Sequence, residues 1–253
     1  MRATAAIAAE DGGGVTRLSV LRSQAPLVLR RTADAVHIVT GAAGPVGGDV
    51  LRLRIDVGAG ATLDVRTVAA SVALPGLGGD ESVLCINARV GPGGRLTFLP
   101  EPTVIAARAR HRLEMRVSLA AGAAFTCRDE VILGRHGEVG GRYRARLHVD
   151  LADAPLLRHE LALDPADGAS LGPAVLAGHR AAGCLLVVEP AWATGAAPMP
   201  AGQYAPGVAV MPLAGPAVFV AALADGALTL RRRLDAHTPR PRPAPAAGEG
   251  VRH

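Results

Sequence analysis

One acidic residue lies where a carboxylate is chemically unusual. Asp129 belongs to the segment FTCRDEVIL at 125–133, whose alternating pattern is typical of a β-strand. Strand side chains point alternately to opposite faces. Asp129 therefore shares a face with the apolar residues Phe125, Cys127, Val131 and Leu133. An acid in that position must be paired, protonated or beside a wet cavity, unless a β-bulge turns it outward. Its neighbour Glu130, on the other face, is expected to be ordinary surface.

Other residues that could perform chemistry lack the spacing that known sites require. The eight His residues contain no i, i+4 pair, and Cys85, Cys127 and Cys184 form no C-x-x-C motif. The Gly-rich segments 58–64 and 91–96 precede strand-like patterns, whereas a phosphate-binding loop precedes a helix. No Ser lies in a G-x-S-x-G elbow. The sequence therefore predicts no dedicated metal site, no disulfide framework and no enzyme.

The charge distribution argues against a nucleic-acid partner. The net charge is +5, but the stretch from Arg231 onward holds six Arg against two acidic residues and so accounts for most of it. Aromatic residues, which stack on bases, make up only 2% of the chain. We expect a solvated basic terminus instead. The N-terminal segment is too weakly apolar for a signal peptide, and no apolar run of about 20 residues occurs. We therefore expect a cytoplasmic protein that does not span a membrane.

A loose internal repeat predicts the fold. Four segments share one layout, in which an alternating strand is followed by a turn of small residues and a second strand: 51–67, 84–100, 113–133 and 147–163. The expected turns fall near 58–60, 91–94, 120–122 and 152–155, which gives a period of about 30 residues. Gly and Ala permit the tight backbone of such turns. The pattern predicts an all-β protein with few short helices, built from stacked β-hairpins in a twisted, partly solenoid-like arrangement.

The remaining segments complete the expected organisation. Residues 1–236 are expected to form a single β domain, and the Pro/Arg-rich tail at 237–253 is expected to be disordered because it lacks apolar periodicity. The best helix candidate is 172–190, although its second half, CLLVVE, is equally typical of a buried strand. A further strand pair is predicted within 207–223, and 190–207 is expected to be a long loop.

Several segments, taken in order, resemble the UreD/UreH family of urease accessory proteins. GPVGGDVLRLRIDVGAGATL (44–63) resembles that family's Gly-Gly-Asp element, here Gly47, Gly48 and Asp49, followed by a strand and a Gly-Ala turn. RLTFLPEPTVI (95–105) and GPAVLAGHRAAGCLLVV (172–188) are similar to two later family segments. CRDEVILGRHGE (127–138) resembles its acidic position, apolar run and Gly-Arg pair. The likeness covers about residues 15–190 and departs from the family pattern at 66–79 and in the short GRHGE interval.

The resemblance implies a non-enzymatic scaffold that helps to deliver nickel to urease. Such a scaffold binds apo-urease and a UreF-type accessory protein, through which a UreG-type nickel GTPase docks. Ni²⁺ is expected to pass through transiently, with no tightly bound cofactor. A conduit requires weak oxygen ligands that release the ion, because a closed thiolate or imidazole site would trap it. The implied channel or interface candidates are Asp49, Asp129 and Glu138, with Arg135, next to Gly134, as an ion-pair partner that fixes a carboxylate.

Two other classes of function remain open on the residues alone. A β-rich carbohydrate- or ligand-binding module would also contain stacked strands without catalytic motifs. The single Trp192 and two Tyr residues supply few of the aromatic platforms that sugar sites use. A small β-barrel enzyme or nucleic-acid binder has only the basic terminus in its favour.

Overall fold

Eighteen strands and three short helices form residues 1–238, the part of the chain that the computed structural model describes. The strands are β1 Arg2–Asp11, β2 Thr16–Arg22, β3 Leu27–Arg31, β4 Val36–Thr40, β5 Val50–Val57, β6 Thr62–Thr67, β7 Ser71–Ala73, β8 Ser82–Val90, β9 Arg95–Leu99, β10 Thr103–Ile105, β11 Arg110–Leu119, β12 Ala124–Leu133, β13 Arg142–Leu151, β14 Ala154–Leu163, β15 Ala181–Val188, β16 Gln203–Ala205, β17 Val208–Pro212 and β18 Ala217–Ala224. The helices are α1 Gly168–Leu171, α2 Pro190–Ala193 and α3 Ala227–Asp235. The predicted all-β class is confirmed.

Two sheets face each other and enclose the main core. Sheet A has seven strands in the order β14-β13-β11-β8-β5-β1-β2. Sheet B has eleven strands. Nine follow the order β16-β17-β18-β15-β12-β9-β6-β4-β3, while β10 pairs with β12 and β7 pairs with β10. The inner faces supply aliphatic side chains such as Leu53, Ile55 and Leu96, each at most 2% exposed. As the composition predicted, the core consists mostly of Val, Leu, Ile and Ala.

The solenoid-like stacking is confirmed, and it has a specific geometry. In the first three repeats the two strands that flank a turn lie in opposite sheets. The first strands, β5, β8 and β11, pair in parallel in that order in sheet A, and the second strands, β6, β9 and β12, do the same in sheet B. Ile55, Ala88, Val117 and Val149 thus form one in-register row across sheet A. Only the last repeat, β13–β14, is a hydrogen-bonded antiparallel hairpin. Alternation alone cannot distinguish these arrangements, because both bury every second side chain.

The four turns lie where the small residues predicted them. Gly60, Gly93 and Gly122 occupy equivalent positions with φ of +70°, +64° and +75°, a conformation that glycine adopts without steric cost. Successive turns stack directly, since the Gly60 N–H donates to the Pro92 carbonyl at 3.0 Å. In the fourth turn, Asp153 takes the left-handed conformation instead, with φ of +62°.

Three segments differ from or add to the expected elements. The helix candidate at 172–190 ends in strand β15, which lies between β12 and β18 and is buried there. The pair within 207–223 is confirmed as β17 and β18, and the 190–207 loop contains α2 and β16. The Ala-rich N-terminal segment is β1, paired in parallel with β5 from Arg2↔Val50 to Ala9↔Val57.

The end of the described chain lies close to the predicted tail boundary. His237 and Thr238 follow α3, and the rest of the predicted tail, residues 239–253, lies outside the described residues. Within residues 1–238, no helix has the length and apolar character needed to cross a membrane.

Candidate functional site

A cavity of about 110 Å³ lies between the two sheets. A single buried water needs on the order of 10–15 Å³, so this interior cavity has room for several waters. Its wall is mostly aliphatic, with inner-face side chains such as Leu53, Ile86 and Met115. The polar and thiol groups of the lining are those of Asp49, Asp129, His111, Tyr143, Cys127, Cys184, Glu101 and Arg128, among others.

Asp129 lies on the inner face of β12 and lines this cavity, as the strand alternation predicted. The register of β12 with β15 is unbroken at Asp129↔Cys184, so no bulge turns the side chain outward. The hydroxyl of Tyr143, on the facing strand β13, donates to Asp129 Oδ2 at 2.7 Å. Burial raises the pKa of this carboxyl to about 6, although the Tyr143 hydrogen bond opposes that shift.

Tyr143 is itself held by buried neighbours from sheet A. Its ring stacks on His111, with 6.1 Å between the ring centroids. His111 Nδ1 lies 2.9 Å from the hydroxyl oxygen of Ser82. Burial lowers the pKa of His111 to about 4, so the imidazole is neutral at physiological pH. Ser82, His111 and Tyr143, on three neighbouring strands of sheet A, thus form a chain of polar side chains that ends at Asp129. Within the described residues, Tyr143 is the only other side chain that donates a hydrogen bond to Asp129.

Two free thiols lie beside Asp129. Cys127 precedes it on the same face of β12, and Cys184 is its cross-strand neighbour on β15. Burial and the nearby Asp129 carboxylate raise the pKa of both thiols, which keeps them protonated and weak as metal ligands. Cys85 is also free and is half-buried in β8.

Asp49 lines the same cavity at the start of β5. Its Oδ2 accepts the Val46 N–H at 2.9 Å, and its Oδ1 accepts from the Met1 amino group at 2.6 Å. Burial raises the pKa of this carboxyl, but the two hydrogen bonds more than offset that effect and lower it. Asp49 and Asp129 thus present two carboxyls in contrasting states, one ionised and one that titrates near neutral pH.

The glycines before Asp49 are required by the backbone path. A Cβ on Gly47 would lie 2.4 Å from the Gly76 nitrogen, and Gly48 has a φ of +89°. Gly47 therefore allows two loops to touch, with its N–H donating to the Leu74 carbonyl at 3.0 Å. The two glycines of the predicted Gly-Gly-Asp element thus allow the loop to follow the path that places Asp49 in the cavity wall.

Arg135 and Glu138 are not brought together with Asp49 and Asp129. They lie in the loop after β12, where two guanidinium nitrogens of Arg135 contact the Glu138 carboxylate, each at 2.9 Å. Hydrogen bonds from the Arg135 side chain and backbone lower the pKa of Glu138 to about 2. Arg135 does fix a carboxylate, and that carboxylate is Glu138. Gly134 begins this loop with a φ of +76°.

Glu130 is a functional candidate that the sequence reasoning missed. It was expected to be ordinary surface, but its side chain is 0% exposed and contacts Arg231 at 2.6 Å and Arg128 at 3.2 Å. Arg231 was assigned to a solvated terminus, yet it lies in α3 and also binds Glu101 at 3.1 Å. The sequence signal that could have revealed this helix is the i, i+4 pair Leu230 and Leu234, which is typical of an amphipathic helix. These two side chains anchor α3 on the outer face of sheet B.

Within residues 1–238, no cluster of three or more His, Cys, Asp or Glu side chains is positioned to hold a metal ion. The cavity instead offers separate carboxyls in a wall of neutral imidazole, phenol and thiol groups. Single oxygen donors with water completing the shell bind divalent ions weakly and reversibly.

The fold and the cavity define a solenoid-like β protein whose mostly apolar interior contains a few polar groups, and comparison with known proteins identifies its family. The family model described as UreD urease accessory protein matches residues 1–248. A urease accessory protein UreD of Parafrankia sp. is 49% identical, over 93% of this chain and 87% of its own length. The UreD of Frankia alni is 46% identical, over 93% and 92%. A Streptomyces griseus protein, urease accessory protein UreD 3, is 45% identical, over 93% and 95%.

The chain belongs to the UreD family of urease accessory proteins. The resemblance inferred from its sequence segments is thereby confirmed.

Proposed function

We propose that this protein is a non-catalytic scaffold that passes Ni²⁺ to apo-urease through its interior cavity. The observation that carries the proposal is that Asp49 and Asp129, from different sheets, line one cavity with room for several waters. Ni²⁺ is the cargo in this scheme, and the protein does not retain it. Family membership supports a role in urease maturation, and the cavity supports a route for the ion.

The contrast between the two carboxyls suits passage of a cation. Asp49 is already paired with the positively charged Met1 amino group and accepts the Val46 N–H, so it offers no free ligand set. Asp129 has no cationic partner among the described residues, and the pKa of its carboxyl is raised to about 6. A hydrated divalent ion can replace the proton of this carboxyl, bind through one or two oxygens and leave again, because the surrounding thiols and imidazole remain protonated or hydrogen-bonded.

The partners in this proposal are proteins. The scaffold would bind apo-urease on one side and a UreF-type accessory protein on another, with a UreG-type GTPase supplying nickel through that second partner. The setting would be the cytoplasm, where urease is assembled. What supports this assignment is family membership.

A gene deletion tests the proposal directly. Without this protein, urease subunits should be expressed but poor in nickel and inactive when nickel is limiting. Complementation with the wild-type chain should restore activity, whereas excess nickel should rescue it only partly. Normal urease activity in the deletion strain at limiting nickel would refute the proposal.

A further inference from the structure

Sheet B is interrupted at one level, next to Asp129. Strand β9 pairs with β12 up to Phe98↔Cys127, and β10 resumes the pairing only at Thr103↔Val131. Residues 128–130 therefore have no strand partner on that side within the described chain. The neighbouring strands break at the same level, since β6 ends at Thr67 and β7 begins at Ser71. We call this interruption the sheet B gap.

The interior cavity reaches into the sheet B gap. Its lining includes Asp129, which points inward to Tyr143, and Arg128, which points outward to α3. It also includes residues at the strand breaks themselves: Thr67, Ser71, Pro100, Glu101 and Thr103. The cavity therefore extends to the level at which the strands of sheet B break.

Helix α3 lies across the outer side of the gap and is fastened there by charged groups. The Arg231 guanidinium bridges Glu130 at 2.6 Å and Glu101 at 3.1 Å. One turn further along, Asp235 binds Arg128 at 2.6 Å. Arg128 Nε lies 3.2 Å from Glu130 Oε2, an ion-pair contact without hydrogen-bond geometry. Leu230 and Leu234, both 0% exposed, hold the same helix on sheet B.

We propose that the sheet B gap is a lateral portal of the interior cavity, that α3 closes it through Arg231, and that the ligand it admits is a hydrated divalent cation. The identity of the ligand rests on the proposed function, whereas the portal itself does not. When α3 moves away, Arg231 and Asp235 leave together. Glu101 and Glu130 then remain with Arg128, so the open mouth has a net negative charge that attracts cations.

The portal can be tested without nickel, through the cavity thiols. Cys127 and Cys184 line the cavity, so their labelling rate with a small cationic methanethiosulfonate reports entry. The measurements use a Cys85→Ser background, which removes the half-buried thiol on β8. The opening variants are Arg231→Ala and the charge-balanced pair Glu130→Gln/Arg231→Gln. The pair leaves no buried carboxylate without Arg231, since Glu101, which also loses this partner, has a side chain that is 37% exposed. The matched control is Arg232→Ala, which removes an exposed guanidinium from the same helix.

The portal predicts that both opening variants label at least about tenfold faster than the Arg232→Ala control, as expected when a local closure is weakened. A polymer-linked maleimide, too large for the gap, should label all variants equally slowly. If the charge-balanced pair labels at the control rate, the portal is wrong. If the small and the large reagent both label the opening variants faster than the control, the reagents enter by unfolding of the protein, and the portal is refuted in that case as well.

The same variants separate this inference from the proposed function. Faster labelling with unchanged urease activation would support the portal for small molecules and contradict its use by nickel. If Asp129 variants activate urease normally while the labelling result holds, the nickel conduit fails and the portal stands.

Discussion

Replacing Asp129 by Asn should stabilise the protein at alkaline pH. The carboxyl and the amide have nearly the same shape, and Asn Oδ1 can still accept the Tyr143 hydroxyl that now lies 2.7 Å from Asp129. What the substitution removes is the cost of ionising a carboxyl whose pKa rises from 3.8 to about 6 on folding. The amide carries no charge at any pH, so it avoids that cost.

The magnitude follows from linkage between proton binding and folding. A rise of about two pKa units corresponds to about 3 kcal/mol. Because the folded-state pKa is raised, the stability that protonated Asp129 provides is complete below pH 4 and is lost as the pH rises through 6. Asp129→Asn should therefore match the wild type near pH 4 and exceed it by up to about 3 kcal/mol at pH 8. For a chain of this size that equals about 6–12 °C in melting temperature.

The measurement is a series of thermal melts from pH 5 to pH 8. About half of the total change in the stability difference between Asp129→Asn and the wild type is expected inside this pH range. Glu10→Gln, which alters an exposed side chain at the far end of β1, is the control and should leave the profile unchanged. A variant that is less stable than the wild type at pH 8, by an amount independent of pH, would show that the Asp129 carboxylate is well solvated or paired. The buried-acid interpretation would then be refuted.

Three further predictions follow from individual contacts. Tyr143→Phe removes the donor to Asp129 and should cost about 1.5–3 kcal/mol at pH 8 and less at pH 5, because a hydrogen bond to the ionised form is the stronger one; equal losses at both pH values in chemical denaturation would contradict it. Gly47→Ala should lower the melting temperature, since its Cβ would lie 2.4 Å from Gly76 backbone, whereas Gly13→Ala, with open space around it, should show only the smaller cost of its positive φ. Leu234→Ala should cost about 2–5 kcal/mol by leaving a hole under α3, while Leu228→Ala, 64% exposed on the same helix, should stay within about 0.5 kcal/mol.

Local sequence patterns were sufficient to predict the repeats and the side of the sheet to which Asp129 points. The Gly and Ala turns lie between strands that alternate without interruption, so sequence position alone determines which side chains point inward. Asp129 follows this rule because β12 has no bulge. The same alternation could not show whether flanking strands pair with each other, since that depends on the path of the chain between the two sheets.

Contacts between distant segments could not be predicted in this way. Glu130 is buried because Arg231, about a hundred residues later, covers it from α3. The Ala-rich β1 has weak intrinsic strand propensity and becomes a strand through its parallel pairing with β5. The sequence left the second half of 172–190 open between a helix and a buried strand. The structure selects the strand, β15, which pairs with a strand on each side in sheet B.

The most direct test of the nickel conduit is the nickel content of urease matured with the Asp129→Asn protein. Because this variant is expected to fold at least as well as the wild type, a loss of transfer cannot be attributed to unfolding. With partner binding confirmed by co-purification, the account predicts that urease matured at limiting nickel contains clearly less metal per active site than with the wild type or with Glu10→Gln. Equal nickel content in all three samples would contradict the passage of nickel past Asp129.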